Sequence, residues 1–236
     1  MLRLPIILTL ALTLAACGDA AKPDPLAERD AAVAGALDDP IMADPDLAAQ
    51  NRGNTALSGG GPAMAEVPPN LRTPEEAERA RQAAQELLGG RIEPAPSAAA
   101  TLPDSKLARA VTLEGVAQAL ALGGAGCPAK LGYGFGWAAR LPAGVPVYPR
   151  GHARVAAGAD EAACQVRVVR FASPASVGEL TDFYYASAAK AGLAPQHRKE
   201  GGDAVVAGSK GAARYAVYIR TGKDGMSEVD LAVSGF

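Results

Sequence analysis

No aromatic residue occurs before Tyr133: one Trp, six Tyr and four Phe, eleven in all, lie between Tyr133 and Phe236. Aromatic rings bring the largest buried areas to a core, so more than a hundred residues without one are poorly equipped to build a core of their own. The 49% apolar fraction does not offset this, because alanine supplies so much of it. Histidine is scarce too. His152 and His197 are the only two, at no spacing that suggests a metal site with cysteines, and with no paired acid to support Ser-His or Cys-His catalysis. Long apolar runs are also missing. The longest, Leu4 to Ala16, has 13 residues and includes two threonines, short of the roughly 18–20 needed to cross a hydrocarbon core.

That short run is informative for another reason. Arg3 precedes it, and it ends at Leu14-Ala15-Ala16-Cys17. A basic start, a short apolar core and small residues before a cleavage point are the layout of a secretory signal. The ending on cysteine resembles the lipobox of bacterial lipoproteins. The resemblance implies that residues 1–16 are removed, that Cys17 carries acyl chains such as palmitate, and that these hold the protein in a membrane; several chains anchor stably where one is marginal. In that family an aspartate directly after the cysteine retains the protein in the inner membrane. Here Gly18 follows and Asp19 comes one place later, so the expected location is the periplasmic face of the outer membrane.

With Cys17 assigned to the anchor, Cys127 and Cys164 remain. An even pair in an oxidising compartment predicts a disulfide, closing a loop of about 38 residues and contributing roughly 3–4 kcal/mol on the loop-entropy account. The alternatives are two free thiols or metal ligands.

Charge divides the chain near the same place as the aromatics. Residues 17–126 carry 16 acidic and 9 basic side chains, and residues 127–236 carry 9 acidic and 13 basic. An acidic, aromatic-free segment followed by a basic, aromatic-bearing one reads as a tether followed by a small domain. The predicted organisation is a signal peptide over 1–16, a lipid-anchored low-complexity tether over 17–104, a lead-in helix over 105–126 and a domain over 127–236. Residues 18–72 are rich in Ala, Asp, Pro and Gly and read as disordered. Thr73, Pro74 and Glu76 then form a helix start with a capping box, and Gly89-Gly90 a stop. Alanines dominate the apolar positions of this helix, which predicts a solvated one.

In the domain, strands are expected over Tyr133–Leu141, His152–Ala157, Cys164–Ala172, Ala204–Gly208, Arg214–Arg220 and Glu228–Ser234. The alternation slips at Val168-Val169, which suggests a bulge or burial on both faces. One amphipathic helix follows Ser176, with Glu179 completing a capping box, Val177, Leu180, Tyr184 and Ala188 on one stripe, and Gly192 ending it. The predicted fold class is α+β: a two-layer domain, an antiparallel sheet covered on one face by one main helix. Pro146-Val147-Tyr148-Pro149, Phe171, Ser176, Glu179, Phe183-Tyr184 and Gly192 together resemble a domain of uncharacterised bacterial envelope lipoproteins. The resemblance covers residues 130–236 and implies a fold and no chemistry.

No catalytic constellation stands out, and no cofactor is expected. Ser187-Ala188-Ala189-Lys190 matches a Ser-x-x-Lys pattern, but the Ser-Asp-Asn and Lys-Thr-Gly companions are absent. Gly132 to Gly136 is glycine-rich without the strand-then-helix context of a phosphate loop. Arg150, Arg154, Arg167 and Arg170 cluster around the early strands and are the candidate anion-binding residues, for lipopolysaccharide, a peptidoglycan carboxylate or an acidic partner protein. The expected function is non-enzymatic: a lipid-anchored periplasmic protein that binds another envelope component or helps maintain the envelope. The alternative is a small-ligand-binding domain using a cleft between helix and sheet, and an enzyme ranks third. The compartment disfavours nucleic acid.

Overall fold

The computed structural model describes residues 64–236, residue 163 excepted. The signal segment, the acylation site Cys17 and residues 18–63 of the expected tether lie outside the described residues. Among the described residues no helix is long and apolar enough to cross a membrane.

The architecture is α+β, organised around one mixed sheet of eight strands in the order β1-β5-β6-β7-β8-β4-β3-β2. The strands are β1 (Thr101–Leu102), β2 (Gly132–Tyr133), β3 (His152–Glu161), β4 (Cys164–Ser173), β5 (Gln196–Glu200), β6 (Asp203–Lys210), β7 (Ala213–Thr221) and β8 (Ser227–Ser234). All neighbours are antiparallel except β1, which lies parallel to β5. The helices are α1 (Pro74–Leu88), α2 (Leu113–Ala119), α3 (Gly136–Ala139) and α4 (Val177–Lys190).

The central strands alternate as their sequences require, and β-branched residues fit a pleated, buried surface. Val169, Phe171, Val206, Val217, Ile219, Val229, Leu231 and Val233 gather on one face beneath α4. The main helix forms for local reasons. The Ser176 side chain accepts from the Glu179 N–H, the Glu179 carboxylate accepts from the Ser176 N–H, and Gly192 follows the helix with φ +71°. Leu180, Phe183 and Tyr184 are fully buried against the sheet, and the Phe183 ring meets Tyr148 and Tyr184 edge-on at 4.9 and 5.1 Å.

The opposite face is covered as well, which corrects the two-layer expectation. Val155, Ala157, Val166, Val168, Val205, Tyr218 and Ala232 pack there against Leu107, Leu113, Val116, Leu122 and Leu131. The sheet is therefore a middle layer. This also explains the slip at Val168-Val169. β4 stays in unbroken register with β8 from Val166 to Ser173, and the two valines simply face opposite cores. The irregularity falls on β3 instead, where Arg154 is the extra residue between Ala153 and Val155.

Other expectations are corrected locally. The lead-in helix is helical only over Leu113–Ala119, capped by Thr112, and the segment before it is a strap of turns. The first strand stops at Tyr133, and the chain turns into α3. Trp137 of that turn lies over Gly158, where a Cβ would come within 2.6 Å of the indole, so only glycine fits. The α1 helix is not solvated. Ala80 and Ala84 are fully buried in the α4-side core, where small side chains permit close helix approach. Thr73 caps it as expected, but the Glu76 carboxylate is turned away from the cap, towards Arg150 and Arg79. The disulfide between Cys127 and Cys164 is present, with 5.4 Å between Cα atoms. It ties the second-face cover to the start of β4. Beside it Gly123, at φ +68°, has no room for a Cβ, which would lie 2.5 Å from the Cys127 sulfur.

Candidate functional site

The second face can be laid out row by row from the register. One row reads Glu200, Asp203, Arg220, Glu228 across β5 to β8, and the next reads Arg198, Val205, Tyr218, Asp230, Arg170 across β5 to β4. The third reads Gln196, Ala207, Ala216, Ala232, and the fourth Ser209, Arg214, Ser234. Charged residues thus fill the first row and three of the five places in the second, alanines hold most of the third, and a single arginine stands in the fourth.

The charged rows pair internally. Arg170 Nε donates to Asp230 at 2.7 Å and lies 3.6 Å from Glu228. Arg220 donates to the other Asp230 oxygen and lies 3.6 Å from Asp203 and 3.5 Å from Glu228. Tyr218 donates its hydroxyl to Glu200 at 2.8 Å. The strap closes the network from above. Ser105 Oγ donates to Asp203 at 2.7 Å, and Arg170 donates to the carbonyls of Val111 (3.0 Å) and Ala110 (3.4 Å). Burial opposes the Arg170 charge, but Asp230 and Glu228 more than compensate and its pKa stays above the ordinary value. Burial first, and the Glu200 acceptor second, push the Tyr218 phenol well up, so it remains a donor. Buried charges persist only when paired and hydrogen-bonded in this way. The arrangement is structural.

The four candidate arginines do not form one patch. Arg150 holds Glu76 of α1 with two hydrogen bonds, at 2.6 and 2.8 Å, on the α4 side. Arg154 sits on the bulge, 3.7 Å from Glu228. Arg167 donates to Asp160 at 2.7 Å on the α4-side face, and Arg170 lies on the opposite face. The reason is period-two alternation with no bulge in β4: residues three apart point to opposite faces. Ser187 is buried in α4 while Lys190 reaches out to the Leu88 carbonyl, so the Ser-x-x-Lys pair does not meet. Among the described residues no three His, Cys, Asp or Glu side chains gather as a metal site.

A cleft of about 450 Å3 opens on this same face, beside the charged rows. Its floor is Ala207, Ala216 and the Tyr218 ring, where the small residues of the third row leave the sheet low. Leu120 and Leu122, after α2, form one wall, and Lys106 of the strap overhangs it. Arg198 and Arg214 flank the floor. Arg198 has a carboxylate neighbour, Glu200, at 3.3 Å, but its buried Nε has no hydrogen-bond partner among the described residues. Lys106 and Arg214 make no ion pair among the described residues, and both are exposed. No acidic side chain lines the cleft. An apolar floor with a cationic rim suits an anionic ligand. Sequence reasoning missed these residues because Lys106, Arg198 and Arg214 are far apart in the chain. The only available signal was the alternation of β7, which puts Arg214, Ala216 and Tyr218 on one face. No protein-family model, no curated protein and no solved structure matches the chain.

Proposed function

We propose that the protein is a lipid-anchored, non-enzymatic envelope protein, held by Cys17 at the periplasmic face of the outer membrane, whose folded unit binds another envelope component in the second-face cleft. The anchor rests on the Leu14-Ala15-Ala16-Cys17 ending. The binding reading rests on one observation: Lys106 and Arg214 are directed to a cleft without acidic lining, while Arg150, Arg154, Arg167 and Arg170 are all paired with carboxylates. This joins the small-ligand alternative to the envelope reading, because the cleft lies between a helix-bearing cover and the sheet.

The test is photo-crosslinking in intact cells from a benzophenone side chain at Gln196, which pairs with Ala207 at the cleft. A covalent adduct with an envelope component is expected there, absent from the same probe at Glu86 on the exposed side of α1, and lost when Ala207→Leu fills the floor. Equal adducts at both positions, or an adduct indifferent to Ala207→Leu, overturn the reading.

A further inference from the structure

We infer that the second-face cleft is one half of a longer groove that takes an extended peptide, with an acidic side chain from the middle of that peptide held at Arg214. The inference rests on the binding reading above and adds the ligand class. A second cleft, of about 470 Å3, adjoins the first, and Arg214 lines both. The walls run on from one to the other. Leu120 and Leu122 line the first cleft, while Ala121, Gly123 and Gly124 of the same segment line the second. On the other side Ser209 lines the first, and Gly211 and Ala212, in the turn between β6 and β7, line the second. No acidic side chain lines either cleft, and Arg214 is the one charged residue of the second among the described residues. Arg198 takes no part, because it is paired with Glu200 at 3.3 Å.

The register shows what surrounds that charge. Ser209, Arg214 and Ser234 stand opposite one another across β6, β7 and β8, about 4.8 Å from strand to strand. Ser234 is only 7% exposed and lines the second cleft, and its hydroxyl has no hydrogen-bond partner among the described residues. A serine hydroxyl stands close to the sheet, whereas an arginine side chain reaches further from it. The row therefore offers neutral hydrogen-bonding groups at the level of the groove floor and a guanidinium fork above them. The fork is shaped to hold a carboxylate by two parallel hydrogen bonds, and the amides of a chain lying on the floor would meet the hydroxyls, one of them largely buried and gaining most from a partner. An acyl chain would leave those hydroxyls unmet, and a small anion would leave both arms of the groove unfilled. Because the groove continues on both sides of Arg214, the charge belongs in the middle of the ligand and not at its end.

The test is fluorescence anisotropy of the purified full chain carrying Cys17→Ala with two labelled, end-blocked alanine heptapeptides, one with a central glutamate and one with a central glutamine. The glutamate peptide is expected to bind roughly tenfold tighter, as a charge-assisted fork warrants, and acetate at equal concentration is expected not to displace it. Arg214→Ser, at an exposed position without an ion pair among the described residues, leaves the fold intact by circular dichroism and brings both peptides to one affinity. Arg214→Lys keeps the charge but not the fork and retains part of the preference. Ala212→Trp, at an exposed position of the second cleft, weakens the glutamate peptide as Ala207→Leu does in the first. Equal affinity for the two peptides, a preference that survives Arg214→Ser, displacement by equal acetate, or indifference to Ala212→Trp overturns the inference. A Gln196 adduct in cells together with any of these results discards the peptide class and leaves the binding reading standing, whereas neither adduct nor peptide binding discards both.

Discussion

Asp230 is 1% exposed and joins Arg170 to Arg220. Removing one member of a buried ion pair leaves an uncompensated charge, so Asp230→Ala is expected to cost roughly 3–5 kcal/mol, read as a lower midpoint in urea unfolding. A change below about 1 kcal/mol would mean that the second face admits water. Tyr184 is the counterpart on the α4 side. It is fully buried and donates to the Pro146 carbonyl at 2.8 Å, and Tyr184→Ala is expected to cost roughly 3–5 kcal/mol as a large aromatic truncation. Only one of these two residues was legible in the sequence. The helical stripe pointed Tyr184 inward. The alternation of β8 puts Asp230 on the face opposite Val229 and Leu231, but alternation by itself cannot say whether that face is covered or wet.

Among the elements, α1 and the disulfide-bound cover carry the clearest consequences. The α1 helix is held by its buried alanines and by two ion pairs, Glu76 with Arg150 and Arg81 with Glu179. The Arg150 hydrogen bonds hold the Glu76 carboxyl below its usual value. Burial raises Glu179, but hydrogen bonds from Ser176 and Arg81 outweigh it and the net shift is downward. A depressed carboxylate stabilises the folded form above its unfolded pKa, near 4.3, and that stabilisation is lost as pH falls through the lower folded value. Hydrogen exchange of the α1 amides is therefore expected to accelerate below about pH 4, ahead of those of α4; α1 and α4 opening together would refute it. The disulfide acts on the other face. Cys164→Ala is expected to lower stability by roughly 3–4 kcal/mol, measured by denaturant unfolding with and without reductant; a reductant-insensitive midpoint in the unaltered protein would contradict it. Two helix starts were legible, since Thr73 and Ser176 each cap through a side-chain oxygen, whereas the start at Thr112 was not, the lead-in helix having been expected from residue 105. The β5 strand was not, because Gln196 to Glu200 is polar throughout and gains its structure by pairing with β6 and β1.

For the whole molecule, the described part begins well before the point where the aromatics begin. Ala65 donates to the Arg154 carbonyl, Val67 is buried, and Ala95 and Ala99 donate to Asp182 and to His197. Limited trypsin digestion is accordingly expected to leave a resistant fragment that retains α1 and residues 91–103. Rapid cleavage after Arg91 would show that the aromatic-bearing part stands alone. Anchoring is tested at the same scale. Cys17→Ala is expected to abolish labelling by an alkyne fatty acid and to release the protein from membranes, and equal labelling of both forms would remove the lipoprotein reading.

What the sequence determined by itself was local or pairwise by elimination: the α4 helix with its caps, the alternating strands β7 and β8, the single remaining cysteine pair and the mixed α and β composition. Each depends on residues close in the chain or, for the cysteines, on there being only two left. What the tertiary structure alone decided was the covering of the second face, the docking of α1, the separation of Arg167 from Arg170 and the cleft among Lys106, Arg198 and Arg214. These depend on which distant segments are brought over which row of the sheet. Leu107, Leu113, Val116 and Leu122 belong to a segment expected as one lead-in helix, and only the fold, with the disulfide holding Cys127 to β4, lays them across the strands so that the second face becomes a second core.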